Sequence, residues 1–162
     1  MQDILFKTEE FVFSYRIGGV LIRDGKILLQ RSKEDGSYAF IGGHVNAMET
    51  ARETLVREFA EELHAAIRVR DLLAVGEIFF PWDGRPVHQI ALYFAVELES
   101  DSQIPLDGTF SGYDELNSIR YDLDFCWVPL SELDCIPVYP QELLPHILSG
   151  SKEVLHFVSK QL

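Results

Sequence analysis

Residues 42–63 read GGHVNAMETARETLVREFAEEL, and the spacing of the charges in this stretch decides the fold. Thr50 and Glu53 are placed as a capping box, hydroxyl and carboxylate each satisfying an orphan backbone N–H. Ala51, Leu55, Phe59 and Leu63 recur every four residues and make an apolar face, widened by Val56. The pattern predicts a helix over 50–63. On that helix Glu58, Glu61 and Glu62 fall on one edge beside the apolar face, at i, i+3 and i+4. A glutamate-rich helix is ordinarily a solvated one, and three like charges this close repel. A hard divalent cation removes the repulsion, because Mg²⁺ takes oxygen ligands and keeps several waters. Arg57 lies next to Glu61 around the helix and is placed to hold a carboxylate in position. Gly42 and Gly43 let the preceding backbone approach a metal or substrate closely.

The longer pattern is glycine, five residues, glutamate, seven residues, then Arg-Glu-apolar-x-Glu-Glu. With average residue usage, a chance match to its six fixed positions has odds of about one in ten thousand or rarer. It resembles the Nudix box, the signature of the Nudix hydrolases: G-x5-E-x7-R-E-U-x-E-E-x-G-U, where U is a bulky aliphatic residue. Gly43 and Glu49 match the first glycine and glutamate. Arg57 and Glu58 match the Arg-Glu pair, Phe59 fills the apolar position, and Glu61 and Glu62 match the Glu-Glu pair. Three positions depart. Phe59 is aromatic, the last glycine is His64, and the final bulky residue is Ala65. That glycine ends the helix where φ turns positive, a conformation His tolerates less well than Gly. The departures therefore bear on helix termination more than on the glutamates.

The resemblance implies an α/β Nudix fold, a mixed β-sheet sandwiched between α-helices, in one domain over residues 1–162. It implies metal ligation by Glu58, Glu61 and Glu62 with the Gly43 carbonyl, the ion being Mg²⁺ or Mn²⁺. Arg57 would orient a glutamate, and Glu49 would support the junction of loop and helix. The implied reaction is hydrolysis of a nucleoside diphosphate linked to another moiety, giving a monophosphate and a phosphorylated remainder. Glu61 is the first choice of general base. Asp107, Asp114 and Glu115 are weaker choices, because a solvated acidic loop also explains them. Homodimers are common in the family, and nothing in the sequence requires one.

The flanks suit that fold. Apolar and β-branched residues on both sides of Asp24-Gly25 predict a hairpin with strands over 14–23 and 26–31. A loop at 32–37 and a short strand at 38–41 lead into the glycines. Strands are predicted over 67–80 and 87–99, joined by a turn at 81–86. A long polar loop is expected over 100–117, then a strand over 119–128. A short helix is expected to start at 129–133 and a longer one to run over 140–148. Residues 153–158 read equally as a strand or a helix end. Trp127-Val128-Pro129-Leu130-Ser131-Glu132-Leu133 resembles a frequent Nudix element. Strands before and after a central helix, in uneven order, suggest a mixed sheet packed between helices.

The 162 residues carry a formal net charge of −12, which argues against a nucleic-acid-binding protein, since such proteins need a basic surface. A phosphate-bearing small molecule would need a recruited cation. The expected partner is a nucleotide or nucleoside diphosphate derivative, with no nucleic acid and no membrane. Two cysteines, Cys126 and Cys135, form neither a disulfide framework nor a C-x-x-C pair and read as reduced thiols. The N-terminus lacks a signal-peptide pattern and no apolar run reaches membrane-spanning length, so a soluble cytoplasmic protein is expected.

His44, just after the glycine pair, is either a substrate-phosphate contact or a turn residue. Arg31 and Lys33 precede the box and either reach a phosphate or are solvated. Trp82, Tyr38 and Phe80 suit ring stacking or plain packing. His64, His88, His146 and His156 are too scattered in sequence to suggest a zinc site. Rival functions are a Nudix-fold module that senses a nucleotide without efficient turnover, a plain cation-binding protein, and an isomerase on the same fold.

Overall fold

Strand β2 (Val12–Arg23) belongs to two sheets, and the site is built around it. The structure, a computed structural model, describes residues 1–116 and 118–161, with side chains throughout these except at 114–116 and 121. Most of β2 runs parallel to β6 (Arg85–Leu98), from Val12 opposite Val87 to Leu21 opposite Val96. Its last two residues turn antiparallel onto β3 (Lys26–Arg31) through the Asp24-Gly25 hairpin, where both residues have positive φ. The hairpin is therefore where the sequence places it, with β2 beginning at Val12 and not at Ser14.

Outward from β2, β6 pairs antiparallel with β5 (Ile67–Trp82), and β5 pairs parallel with the terminal strand β10 (Leu155–Lys160). The short β1 (Leu5–Lys7), which the sequence did not signal, adds to the other edge of β2. On the β3 side lie β4 (Tyr38–Ala39), β9 (Val138–Tyr139) and the hairpin of β7 (Thr109–Leu116) with β8 (Ile119–Pro129).

The short helix expected to start at 129–133 is present as a 3-10 helix, Leu130–Cys135. Two expectations are corrected. Residues 109–116 form β7 where a loop was expected through 117; residue 117 itself lies outside the described residues. The helix expected over 140–148 is split into a 3-10 turn, Gln141–Leu143, and α2 (Leu144–Ser149). Pro145 is the reason: it has no N–H to donate and its ring clashes with the carbonyl four residues back.

Helix α1 (Ala51–Leu63) begins at Thr50, whose Oγ1 accepts from the Glu53 N–H at 3.3 Å while Glu53 Oε2 accepts from the Thr50 N–H at 2.8 Å. It ends at His64, which adopts the left-handed conformation with φ 53° and ψ 36°. Alternate residues of β2 feed two cores. Ile17 and Leu21 pack under α1 with Leu55, Phe59 and Phe125, while Val20 packs on the other side with Leu143, Leu144, Ile147 and Phe157 under α2. Helices thus cover both sides of the mixed sheet. Among the described residues no helix is long and apolar enough to cross a membrane.

Candidate functional site

The loop between β4 and α1 doubles back along β2. Gly19 N–H donates to the Ile41 carbonyl at 2.8 Å, Ile17 N–H to the Gly43 carbonyl at 3.0 Å, and Val45 N–H to the Tyr15 carbonyl at 3.0 Å. Single bridges join Gly19 to Ile41 and Arg16 to His44. The backbone at Gly43 is thereby pinned against α1. A Cβ on Gly43 would lie within 2.7 Å of three carboxyl atoms of Glu58, so a larger residue there would displace that carboxylate. This glycine serves close approach.

Arg57 organises the carboxylates. Its Nε donates to Glu49 Oε1 at 3.0 Å and its Nη2 to Glu49 Oε2 at 3.0 Å. Nη1 donates to Glu58 Oε1 at 2.8 Å and to Glu61 Oε2 at 3.1 Å, and Nη2 also reaches the His44 carbonyl at 3.1 Å. The sequence placed Arg57 beside Glu61, but its fullest engagement is with Glu49. Glu49 in turn accepts from Thr54 Oγ1 at 2.9 Å and from the Asn46 N–H at 3.3 Å. Glu49 is the anchor that aims the guanidinium at Glu58 and Glu61.

The charges respond to this packing. Hydrogen bonding from Arg57 first, then from Thr54 and the Asn46 backbone, holds the Glu49 carboxyl below its ordinary value against the opposing effect of burial. Glu58 goes the other way. Burial raises it, the nearby Glu61 adds to the rise, and Arg57 and Arg16 only partly oppose it. Arg57 is held more firmly protonated, chiefly by Glu49. Glu58 and Glu62 are buried and Glu61 is largely open to solvent, its side chain 44% exposed.

Among the described residues no three His, Cys, Asp or Glu side chains converge in an arrangement that holds a metal ion. Glu58 and Glu61 are turned onto Arg57 instead. The donor set still fits a hard divalent cation. It offers carboxylate oxygens from adjacent helical turns, a neighbouring backbone carbonyl at Gly43, and a glycine that leaves Glu58 room against the loop. The Gly43 carbonyl accepts from Ile17 and keeps a second lone pair.

The other sequence candidates separate. His44 is half-buried, its Nδ1 3.8 Å from Asp3 Oδ2, and burial first and then Arg16 lower its pKa while Asp3 opposes. Arg31 stands exposed at the end of β3 with its guanidinium 5.9 Å from the centre of the Tyr38 ring, and the structure does not bring it to the box. Lys33 pairs with Asp124 at 3.7 Å. Asp107 is engaged by Lys26 and the Gly108 N–H. The side chains of Asp114 and Glu115 lie outside those described. Phe80 and Trp82 line a cavity with His44.

Sequence reasoning missed the wall of that cavity. Arg16, Ser14 and Gln89 face it from β2 and β6. A signal was available: Arg16 is a charge in the middle of the apolar run FVFSYRIGGVLI, and Gln89 interrupts VHQIALYF in the same way. A polar residue there must find a partner or a ligand.

Residues 14–147 match the sequence profile of the NUDIX domain. The chain belongs to the NUDIX family. A stretch of 62 residues is 39% identical to the ADP-ribose pyrophosphatase of Methanocaldococcus jannaschii, covering 36% of this chain and 37% of that protein. The alignment thus spans little more than a third of that relative. Among solved structures, the NUDIX hydrolase from Nitrosomonas europaea superposes with a TM-score of 0.61 at 16% identity, over 91% of this chain and 79% of that one. The MutT protein from Bacillus halodurans superposes with a TM-score of 0.62 at 16% identity, over 90% of each chain. At such identities the likeness is one of fold.

Proposed function

We propose that this chain is a divalent-metal-dependent pyrophosphohydrolase acting, as a single domain, on a nucleoside diphosphate linked to another moiety. The observation that carries the reading is the Arg57 clamp: one guanidinium holds Glu49, Glu58 and Glu61 together, with Gly43 pressed against Glu58. Nothing in a folded helix needs three carboxylates gathered in this way, and a stability role alone is better served by apolar residues.

Glu58, Glu61 and Glu62, with the Gly43 carbonyl, would hold Mg²⁺ or Mn²⁺. Such an ion, when bound, neutralises diphosphate charge and lowers the pKa of the attacking water. Arg57 fixes the glutamate rotamers before substrate arrives, which is the positioning that phosphoryl transfer chiefly asks of a protein. The Glu61 carboxylate, exposed at the rim, accepts the proton that the attacking water loses. Glu49 keeps Arg57 aimed. The ADP-ribose pyrophosphatase relative points to ADP-ribose as one substrate to try first.

The test is hydrolysis of ADP-ribose, nucleotide sugars, NADH, dinucleoside polyphosphates and nucleoside triphosphates with either metal, with Glu61→Gln run in parallel. Metal-dependent cleavage that collapses in the variant supports the hydrolase. Metal-dependent thermal stabilisation by one nucleotide without cleavage moves the reading to a sensing module.

A further inference from the structure

The side of the sheet that carries α1 is only partly covered. Helix α1 lies over Ile17, Gly19 and Leu21 in the later half of β2. Toward the start of β2 the same face carries a row of residues directly opposite one another on five strands. Phe6 of β1 pairs with Phe13 of β2, Phe13 with His88 of β6, His88 with Phe79 of β5, and Phe79 with Lys160 of β10. Each side chain meets the next. Ring centroids are 6.2 Å apart for Phe6 and Phe13, 5.9 Å for Phe13 and His88, and 4.5 Å for His88 and Phe79, and Lys160 Nζ lies 6.0 Å from the Phe79 centre. A second row, two residues along each strand, reads Tyr15, Ile90, Glu77 and Val158. Phe6, Phe13, Phe79, Ile90 and Val158 belong to neither core. Phe6 and Val158 are 58% and 46% exposed, and the other three are half-buried.

A contiguous apolar face of this kind marks a docking surface, and its makeup says for what. A row of rings can stack nucleic-acid bases, but a chain with a formal charge of −12 repels their backbone. Two copies of such a chain also repel, and meet only where acids are few. This face carries one acid, Glu77, and His156 already engages it at 2.8 Å. The face also complements itself. A two-fold axis along β6, through the middle of the row, sets His88 on His88 and Ile90 on Ile90. It brings Phe13 of each copy onto Phe79 of the other. It lays Lys160, which has no ion pair among the described residues, over the exposed Phe6 ring, a cation on a π-face at both ends of the row. In the second row it sets the Tyr15 hydroxyl opposite Glu77. That hydroxyl has no hydrogen-bond partner among the described residues, and Glu77 uses only its Oε2. With Leu92 and Val75 in a third row, the face measures about 24 Å by 20 Å from strand spacing and rise, so a pair covers about 1,000 Å², the lower bound of a specific interface.

We propose that this ring-bearing face docks a second copy of the chain, the two sheets packing face to face about an axis along β6. Sheets stacked in this aligned way stand about 10 Å apart with strands about 30° off parallel. Residues on β6 then lie at the axis, and those on β1 and β10 meet only across it. The contact is independent of the hydrolase reading: it uses none of the box residues and stands or falls by association alone.

The experiment is sedimentation equilibrium on the full chain from about 1 to 500 µM, where an interface of this size should give a reversible dimer with a Kd of about 1 to 100 µM. Phe13→Glu puts a carboxylate from each copy into the contact and should raise that Kd at least about tenfold, with circular dichroism to confirm the fold. Lys160→Glu sits at an exposed position outside both cores and should raise it about fivefold or more, by removing the cation from both ends of the row. Cross-linking reads the pairing itself. In a Cys135→Ser background, which removes the exposed thiol, a short bismaleimide should join His88→Cys to its own copy. Phe6→Cys should join Lys160→Cys when the two are mixed, and not itself, because two strands separate it from the axis by about 10 Å. A chain that stays monomeric at 500 µM overturns the proposal. So does a dimer that ignores both Phe13→Glu and Lys160→Glu, or one in which Phe6→Cys joins itself and His88→Cys does not.

Discussion

Arg57 and Arg16 reach the same loop residue, His44, and are treated in opposite ways. Arg57 spends its donors on Glu49, Glu58, Glu61 and the His44 carbonyl, while Arg16 is bridged to His44 through the backbone and its guanidinium has no hydrogen-bond or ion-pair partner among the described residues. The first arrangement fixes side chains before anything binds. The second leaves a charge to be satisfied by what arrives. A site that must hold geometry and also admit an anion needs both, on different residues.

The largest expected effect tests what the clamp is for. Glu61→Gln keeps size and hydrogen bonding but cannot take a proton, so kcat should fall by about 100- to 10,000-fold, the usual worth of a general base. Steady-state assays on the best substrate, with circular dichroism to confirm that α1 survives, read this directly. A loss under tenfold would place the base in the acidic segment with Asp107, Asp114 or Glu115.

The second prediction sets the two arginines against each other in stability. Arg57→Gln strands Glu49 and Glu58, whose side chains are each only 11% exposed. Breaking such a buried set costs about 3 kcal/mol. Arg16→Gln removes no pairing and should stay within about 0.5 kcal/mol of wild type. Urea unfolding without metal measures both. Equal losses would break the comparison, because Arg16 would then be structural.

Acid sharpens it further. Glu49 has a folded pKa held below its ordinary 4.5, so its contribution is present above that value and is lost as pH falls through the folded one. Wild type should therefore exceed Glu49→Gln by about 2 kcal/mol at neutral pH, a gap that closes only below about pH 4.5. Glu58 carries the opposite sign. Its folded value is raised, so its contribution is full below the ordinary value and is lost as pH rises through the folded one. Glu58→Gln should cost less than Glu49→Gln at neutral pH in metal-free protein, and equal costs would show that Arg57 does not distinguish these two of its three carboxylates.

The clamp was legible in the sequence and the cavity beside Arg16 was not. Capping box, apolar spacing and charge edge are all local, within one helix, and periodicity reads them directly. Glu49 was seen as a support because the resemblance placed it, although its bond to Arg57 crosses eight residues. The cavity is made by β2 and β6, which are far apart in the chain, and which side of a strand a residue faces depends on its partner. Strand β7 escaped for another reason. Its sequence, TFSGYDEL, is acidic and broken by glycine, yet Gly112 is what lets it lie against α1: a Cβ there would come 2.6 Å from the Glu62 carbonyl. A residue that reads as a loop former is here a packing requirement.

The smallest expected effect concerns His64, where the chain departs from the glycine of the motif. Its φ of 53° is left-handed, which costs a side chain energy that glycine does not pay. His64 recovers part of this by packing its ring on Tyr113 of β7, centroids 4.5 Å apart, so that one residue both ends α1 and ties it to the β7 strand. The two contributions separate by substitution. His64→Ala keeps the backbone cost and loses the ring, and should be about 1 kcal/mol less stable than wild type. His64→Gly loses the ring but relieves the backbone, and should exceed His64→Ala by about 1 kcal/mol. Thermal unfolding of the three proteins should show wild type and Gly melting close together and Ala below both. If Gly and Ala melt together, the left-handed cap is not what ends the helix, and the ring on Tyr113 alone holds α1 to its neighbour.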